Sequence, residues 1–319
     1  MPTAARAPAE LRLHTGHQAF RNFAWCVLAW NVLVVLWGAY VRASGSGAGC
    51  GNNWPTCNGV VIPTNAQTAT VIEFTHRLTT SVALLGVLAL CFWAFRSFPK
   101  THPVRRTAVL SVIFLLMEAL LGAGLVLFEY VGKNASAGRA IYLSAHLVNT
   151  QLLLAVLTLT AWFAGHEGSE RRSGLITAAL PLALLVSVTG AIAALGDTLF
   201  PATSVLAGLH QDLSTTAHFL LRLRIFHPIL AVCAGIFFGL IAVSTIRTST
   251  SIEAKRAAWA VAFLVVVQLY AGTMNVLLLA PVWLQITHLL LANCLWIALV
   301  ILNYSPLLAS YDVSHEVIT

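Results

Sequence analysis

Eight long apolar segments divide this chain, and each is long enough to cross a lipid bilayer. A helical span needs about 20 residues, because the hydrocarbon core is about 30 Å thick and each residue adds about 1.5 Å. The segments lie near 23–43, 71–95, 107–128, 140–163, 174–195, 219–245, 257–280 and 282–304. The pattern predicts an all-α integral membrane protein with eight transmembrane helices.

The composition agrees with this class. Of the 319 residues, 58% are hydrophobic and only 9% are charged, whereas about a quarter of the residues of a soluble protein are charged. The net charge of +7 could suit nucleic acid, but the basic residues lie in short links between apolar segments and not on a polar domain. We therefore expect membrane lipid as the surroundings and no nucleic-acid partner.

Lys and Arg are distributed unequally between the two predicted sides. One side has twelve, which are Arg6, Arg12, Arg21, Arg96, Lys100, Arg105, Arg106, Arg171, Arg172, Arg247, Lys255 and Arg256. The other side has six, which are Arg42, Arg77, Lys133, Arg139, Arg222 and Arg224. Because cytoplasmic loops are enriched in basic residues, the distribution predicts that both termini are cytoplasmic.

The last four segments repeat features of the first four. The matched pairs are Gly38 with Gly190, His76 with His227, Glu118 with Gln268, Gly122 with Gly272 and His146 with His288. These pairs match four helices with four others in the same order, which predicts a duplicated four-helix unit, and an even helix count makes the two units parallel. We expect two pseudo-symmetric four-helix bundles at 23–164 and 174–304, with cytoplasmic segments at 1–22, 165–173 and 305–319.

The four matched histidines are the strongest candidates for chemistry. His76, His146, His227 and His288 all lie about six to eight residues below the predicted outer surface, or roughly 10 Å. Two neutral imidazoles facing each other across a bundle can bind haem iron from both sides. The expected pairs are His76 with His146 and His227 with His288. Hydrogen bonding to neighbouring helices and other metals are the alternatives.

Glu73 stands three residues before His76 and therefore on the same helical face. The second unit has Arg224 at the matching position, so only the first unit has a carboxylate there. A carboxylate near a haem can relay protons or hold a water molecule. The alternative is an ion pair of Glu73 with Arg77 or Arg42. Glu118, deeper in the third helix, fits a hydrogen-bonding group between helices.

Two predicted outer loops and one proline add further expectations. Cys50 and Cys57 share the first outer loop, where a disulfide between them is expected; whether it is structural or redox-active stays open. The second long outer loop, roughly 196–218, fits a short amphipathic helix on the membrane surface. Pro228 follows His227, and because proline cannot bond to the carbonyl of Arg224, the sixth helix should bend or begin its regular part there.

Together these residues resemble the haem A synthase family. The resemblance covers about 23–304 and rests on "GAYVRASGSGAGCGNNWPTCNG", "IEFTHRL", "SAHLVNTQLLLA", "RIFHPILA" and "THLLLANCLW". It implies an eight-helix bacterial cytoplasmic-membrane enzyme that oxidises a methyl group of haem O to a formyl group. The product, haem A, serves terminal oxidases.

The resemblance also implies roles for individual residues. His76 and His146 would hold the substrate haem, and His227 with His288 would hold a haem b. Glu73 matches the family's functionally important acid, and Cys50 with Cys57 matches its outer-loop pair. Arg77 would pair with a haem propionate or with Glu73. Haem O synthase and terminal oxidase assembly factors are the implied partners, and a homo-oligomer stays open.

Two departures and two rival functions accompany this resemblance. The second long outer loop has no cysteine pair, and Pro228 stands where the repeat would echo Arg77. A di-haem electron carrier of the b type would explain four histidines but not Glu73 on one side only or the cysteine loop. A transporter with inverted repeats would need an odd number of helices in each repeat.

Overall fold

The computed structural model of this protein describes residues 6–64, 66–166 and 174–305, with side chains from residue 16 onward. Most of the predicted linker 165–173 and tail 305–319, and the start of the predicted tail 1–22, lie outside these residues.

The described chain is helical, and it contains the eight predicted spans. The helices are α1 Arg6–Ala43, α2 Thr68–Ser97, α3 Pro103–Leu127, α4 Ala137–Phe163, α5 Gly174–Leu199, α6 Val205–Leu213, α7 Phe219–Arg224, α8 Phe226–Thr248, α9 Ile252–Leu277 and α10 Val282–Tyr304, with a 3-10 turn at Ser46–Ala48. Eight segments are long and apolar enough to cross a membrane, with α7 and α8 forming one of them. The prediction of an all-α, eight-span membrane protein is confirmed. The first apolar helical segment begins at Gly16, earlier than the predicted residue 23.

The sixth span is interrupted just before its histidine, as Pro228 predicts. Helix α7 ends at Arg224, and α8 begins at Phe226 with Pro228 in its first turn. Proline is tolerated in a first turn, where the N–H has no helical partner, and it has none to donate to the carbonyl of Arg224. His227 therefore lies at the start of a helix and not in the middle of one.

The spans pack as two groups of four. Helix α1 contacts α2 and α4, and α3 contacts α2 and α4, which gives a ring of four helices. In the second group α5 contacts α8 and α10, and α9 contacts the same two helices. The groups meet where α4 contacts α5 and α10, and where α1 contacts α10. The pseudo-symmetric relation between the groups stays a prediction from the sequence repeat.

Polar side chains join the two groups across this interface. The Arg42 guanidinium, at the end of α1, donates to the Ala194 carbonyl and Thr198 hydroxyl of α5 at 2.8 Å each. It also donates to Gln285 Oε1 of α10 at 3.0 Å. Arg42 therefore binds the second group and is not the partner of Glu73.

A second polar contact lies deeper in the interface, between α4 and α10. The Trp296 indole N–H donates to the Gln151 carbonyl at 2.7 Å, and the Gln151 amide donates to Asn293 Oδ1 at 3.1 Å. All three side chains are buried. Because an unpaired polar group in an apolar interior is costly, these bonds fix how α4 and α10 face each other.

The second long outer loop contains the expected amphipathic helix. Ser204 caps α6 by accepting from the Ala207 N–H at 3.1 Å. The apolar side chains of α6 are exposed, among them Leu206, Leu209 and Leu213, while Asp212 faces inward to Arg224. This arrangement is typical of a helix that lies on a membrane surface.

The Trp296 contact leads to a stability prediction. We expect Trp296→Phe to lower the free energy of unfolding in mixed micelles by about 0.5–1.5 kcal/mol, because the Gln151 carbonyl loses the indole donor that it has in addition to its own helix. The control is Trp259→Phe, since Trp259 is 63% exposed on α9. Equal stability of the two variants would contradict the inferred role of this contact.

Candidate functional site

A large cavity of about 1440 Å³ lies within the two helix groups and is lined by residues of both. Pockets for a single small ligand usually measure about 300–1,000 Å³, so this volume exceeds that of one ordinary ligand site. Its walls are mostly apolar side chains. The four predicted histidines all line it, as do Glu73, Arg77 and Glu118. The structure thus brings to one cavity residues that are separated by more than 200 positions in the chain.

Each of the four histidines packs against a glycine of the neighbouring helix. A Cβ atom added to Gly38 would lie 2.9 Å from the His76 ring, and one added to Gly190 would lie 2.9 Å from the His227 ring. The corresponding distances are 3.9 Å from Gly122 to His146 and 3.2 Å from Gly272 to His288. These glycines are the matched pairs of the sequence repeat. At Gly38 and Gly190 any side chain would displace the imidazole.

In the second unit, two imidazoles face each other. The ring centres of His227 and His288 are 6.5 Å apart, and the planes are nearly perpendicular at 86°. Thr189 Oγ1 lies 3.1 Å from His227 Nδ1, and the Gln268 amide nitrogen lies 3.3 Å from His288 Nε2. His288 Nδ1 is buried without a hydrogen-bond partner. A hydroxyl group therefore contacts Nδ1 of His227 and an amide group contacts Nε2 of His288, and both histidines line the cavity.

In the first unit, a carboxylate stands beside one histidine. Glu118 Oε1 lies 3.3 Å from His146 Nδ1, an ion-pair distance although the angle does not meet hydrogen-bond criteria. Asn149 donates to Glu118 Oε2 at 2.6 Å, and the Thr150 hydroxyl donates to Oε1. The expectation that Glu118 bonds between helices is correct. Its proximity to His146 was not predicted.

Glu73 connects the cavity to the first outer loop. Its side chain is buried, and Oε2 accepts from the Cys50 backbone N–H at 2.9 Å. Oε1 contacts Arg77 Nη2 at 2.5 Å. Arg77 Nη1 in turn donates to the carbonyls of Asn53 at 2.8 Å and Thr56 at 2.7 Å. The predicted alternative, an ion pair of Glu73 with Arg77, is therefore present.

The loop held by this ion pair contains the expected disulfide. Cys50 and Cys57 are bonded, with their Cα atoms 4.4 Å apart, and both are buried. Gly49 lies so close to α2 that an added Cβ would meet the Ala69 backbone at 2.4 Å. Thr70 Oγ1 donates to the Gly49 carbonyl at 2.6 Å. The loop is thus pressed onto the start of α2, directly above Glu73.

Arg224 performs a comparable structural task in the second unit with the opposite charge. It contacts Asp197 of α5 at 2.6 Å and Asp212 of α6 at 2.5 Å. In both units, a charged residue one turn before the histidine holds the preceding loop. Glu73 bonds to the loop at Cys50, and Arg224 bonds to α6 at Asp212. The sequence difference between Glu73 and Arg224 changes the charge that lines the cavity but preserves this anchoring.

Three contacts at the site were not found from the sequence. Thr189 touches His227, Gln268 touches His288, and Glu118 touches His146. A signal for the last two was present, since Glu118 and Gln268 each precede a matched glycine by one helical turn. The Thr189 contact had a similar signal, because Thr189 directly precedes Gly190.

Comparisons with known proteins identify the family of the chain. Residues 21–300 match the family model described as cytochrome oxidase assembly protein. A protohaem IX farnesyltransferase of Thermus thermophilus is 50% identical over 292 residues, which is 90% of this chain and 48% of that protein. A haem A synthase of Halalkalibacterium halodurans is 32% identical over 160 residues, which is 50% of this chain and 51% of that protein.

A third relative, a haem A synthase of Lysinibacillus sphaericus, is 40% identical over 111 residues, covering 34% of this chain and 36% of that protein. The chain spans about half the length, or less, of these curated relatives. The fold and the match over residues 21–300 define a membrane protein of the cytochrome oxidase assembly class. Within that class, the chain belongs to the haem A synthase family.

The contacts of Glu73 predict how firmly the first outer loop is held. We expect Glu73→Ala to speed hydrogen–deuterium exchange in a peptide covering Cys50 by about 10-fold or more, because a charge-assisted bond contributes about 1.5–3 kcal/mol. Thr75→Ala is the control, since Thr75 bonds only to the Val71 carbonyl of its own helix. Exchange that stays equal in the two variants would show that Glu73 does not anchor the loop.

Proposed function

We propose that this protein is a haem A synthase, which oxidises a methyl group of haem O to a formyl group and so yields haem A for terminal oxidases. The observation that carries the proposal is the set of four matched histidines, each packed on a matched glycine, that line one apolar cavity. Membership of the haem A synthase family supports the same reaction.

The residues present fit haem. Nδ1 of His76 and of His288 is buried without a hydrogen-bond partner, and a buried polar atom of this kind needs an explanation. Neutral imidazole is a common axial ligand of haem iron, and the apolar walls suit the porphyrin. We assign His76 and His146 to the substrate haem of the unit at 23–164. We assign His227 and His288 to a haem b of the unit at 174–304.

The chemistry divides between the haem and the chain. Breaking methyl C–H bonds is beyond amino-acid side chains, and haem iron together with dioxygen would supply this reactivity when bound. Each of two hydroxylations would take up one dioxygen, two electrons and two protons and release one water, and loss of a further water from the resulting diol would leave the formyl group. The histidines would hold and orient the porphyrins, and the apolar walls would exclude water. Electrons for the first unit would come through the second. This separation would account for a repeated scaffold whose two units differ beside the matched histidines.

Glu73 is the group we propose for proton handling in the first unit. Its Oε1 atom is engaged by Arg77, whereas Oε2 has the Cys50 N–H as its partner among the described residues. Oε2 therefore keeps a lone pair that can accept a proton near the cavity. The same bond places the disulfide loop next to the proton acceptor, so Glu73 would serve both the chemistry and the wall of the cavity.

The Thermus relative carries the name of a different activity, and its length suggests how the two relate. This chain matches 48% of that protein, so the named farnesyl transfer can reside in the part that this chain does not match. Prenyl-diphosphate chemistry commonly needs carboxylates that hold Mg²⁺. Within the described ranges no cluster of three or more His, Cys, Asp or Glu residues could hold a metal ion. We therefore do not assign farnesyl transfer to this chain.

The same relative supports a partner. Farnesylated haem is haem O, so an enzyme that farnesylates protohaem supplies the substrate of a haem A synthase. We propose that a haem O synthase delivers substrate to this protein in the bacterial cytoplasmic membrane, with both termini of the chain in the cytoplasm. Terminal oxidase assembly factors would receive the product. A homo-oligomer is compatible with this arrangement.

Haem analysis of cells tests the proposed reaction. We expect extracts of cells that express this chain together with a haem O synthase to contain haem A, and cells lacking the chain to accumulate haem O. The measurement is extraction followed by reversed-phase chromatography. If the purified chain contains only haem b and haem A never forms, the di-haem electron carrier is the correct function.

Variants test the division between the units. We expect Glu73→Gln to retain the haem b of the second unit while haem A formation falls at least about 10-fold, as general acid–base catalysis typically contributes 10²–10⁴-fold. His288→Ala should lose haem b. The measurements are the haem content of each purified variant and its haem A output. Normal haem A output from Glu73→Gln would reject the role of Glu73, and loss of haem b from His76→Ala would reverse the two units.

A further inference from the structure

The two units differ chemically beside the matched histidines of α4 and α10. In the first unit Glu118 Oε1 lies 3.3 Å from His146 Nδ1. In the second unit the amide nitrogen of Gln268 lies 3.3 Å from His288 Nε2. Glu118 and Gln268 occupy equivalent positions on α3 and α9, each one turn before a glycine that packs on the same histidine. The neighbour is thus an acid in one unit and a neutral amide in the other.

The surroundings of Glu118 fix what it can do. Its side chain is 15% exposed. The Asn149 amide donates to one carboxylate oxygen at 2.6 Å, and the Thr150 hydroxyl donates to the other. With donors on both oxygens, the group is arranged as an acceptor. The His146 nitrogen that faces it at 3.3 Å is Nδ1, and with the proton on Nδ1 the lone pair of Nε2 is free for a ligand bond.

Such a partner changes a metal-binding histidine in a known direction. A carboxylate behind the ring fixes its tautomer and orientation and makes the imidazole a more electron-rich ligand. An electron-rich axial ligand pushes electron density onto iron, which favours oxygen activation, and hydrogen bonding to ligands tunes the reduction potential. Gln268 carries no formal charge, and its amide nitrogen faces Nε2 of His288 and not Nδ1, so it does not provide the same effect.

We propose that Glu118 is a positioning residue that acts through His146 and makes the iron of the first unit more electron-rich than that of the second. This inference rests on the proposed function. According to this inference, the exchange of Glu118 for Gln268 at the matched position gives the two haems different roles. One haem reacts, and the other transfers electrons. Glu118 touches neither porphyrin nor substrate in this account, and its influence passes entirely through the ring of His146.

Reciprocal exchange of the two side chains tests the proposal. We expect Glu118→Gln to raise the midpoint potential of one haem, and Gln268→Glu to lower the potential of the other. The measurement is a spectroelectrochemical titration of the purified, haem-loaded chain. Glu253→Gln is the control, because Glu253 lies at the start of α9 and pairs with His166; it should move neither potential.

The outcomes separate this inference from the proposed function. The role of Glu118 would be overturned if both haems keep their midpoint potentials in both variants. It would also be overturned if both exchanges shift the potential of the same haem. Haem binding, and with it the proposed function, would stand in either case. A purified chain that binds no haem would overturn the proposed function itself. If Glu118→Gln loses its haem, the Gln268→Glu variant still decides. A lowered midpoint potential of the second unit's haem in that variant supports the inference, and an unchanged potential overturns it.

Discussion

A histidine inside an apolar helix bundle needs space on the facing helix and a polar partner for its ring. In this protein the space comes from glycine at all four positions, and the partners come from threonine, glutamate or glutamine on three of the histidines. Buried polar groups in membranes are costly unless they are paired or bind a ligand. The fold can be understood as the arrangement that supplies four such places along one cavity.

The sequence repeat predicts one scaffold for both units, and a few exchanges at matched positions distinguish them. Both copies keep the histidine pair and the glycines beside it. They differ at Glu73, which is matched by Arg224, and at Glu118, which is matched by Gln268. Both acids belong to the first unit and line the cavity. The acids of the second unit that line the cavity, Asp197 and Asp212, are both paired with Arg224. Acids at the two matched positions beside the histidines are therefore the feature that a pair of equivalent electron relays would not require.

Much of this fold follows from patterns along the chain. The length of the apolar spans predicts eight helices, the repeat predicts the matched histidines, and the two loop cysteines predict the disulfide. Each of these features depends on local hydrophobicity or on spacing along the chain. The break before His227 was also predictable, since Pro228 removes a specific backbone bond. The bonds of Arg42 to α5 and α10, the bond of Glu73 to the Cys50 N–H and the proximity of Glu118 to His146 were not predicted, because they depend on how segments far apart in sequence pack.

Glu73 shows this difference most clearly. Its spacing from His76 and Arg77 placed all three at one site, and the alternatives were proton handling or an ion pair. The structure contains the ion pair and also a bond from the Cys50 N–H to Glu73. No sequence pattern predicts this bond, because it depends on the packing of the loop against α2. Glu73 and the disulfide loop are therefore directly bonded to each other.

The central claim is that one chain provides two separate haem sites, one in each copy of the duplicated unit. Quantifying haem iron per polypeptide in the purified protein, supplied with saturating haem in the membrane, tests this claim directly. The account predicts two haem irons per chain, falling to one when either His76 or His288 is replaced by alanine. A single haem iron per chain in the unaltered protein, or two that survive both substitutions, would contradict it.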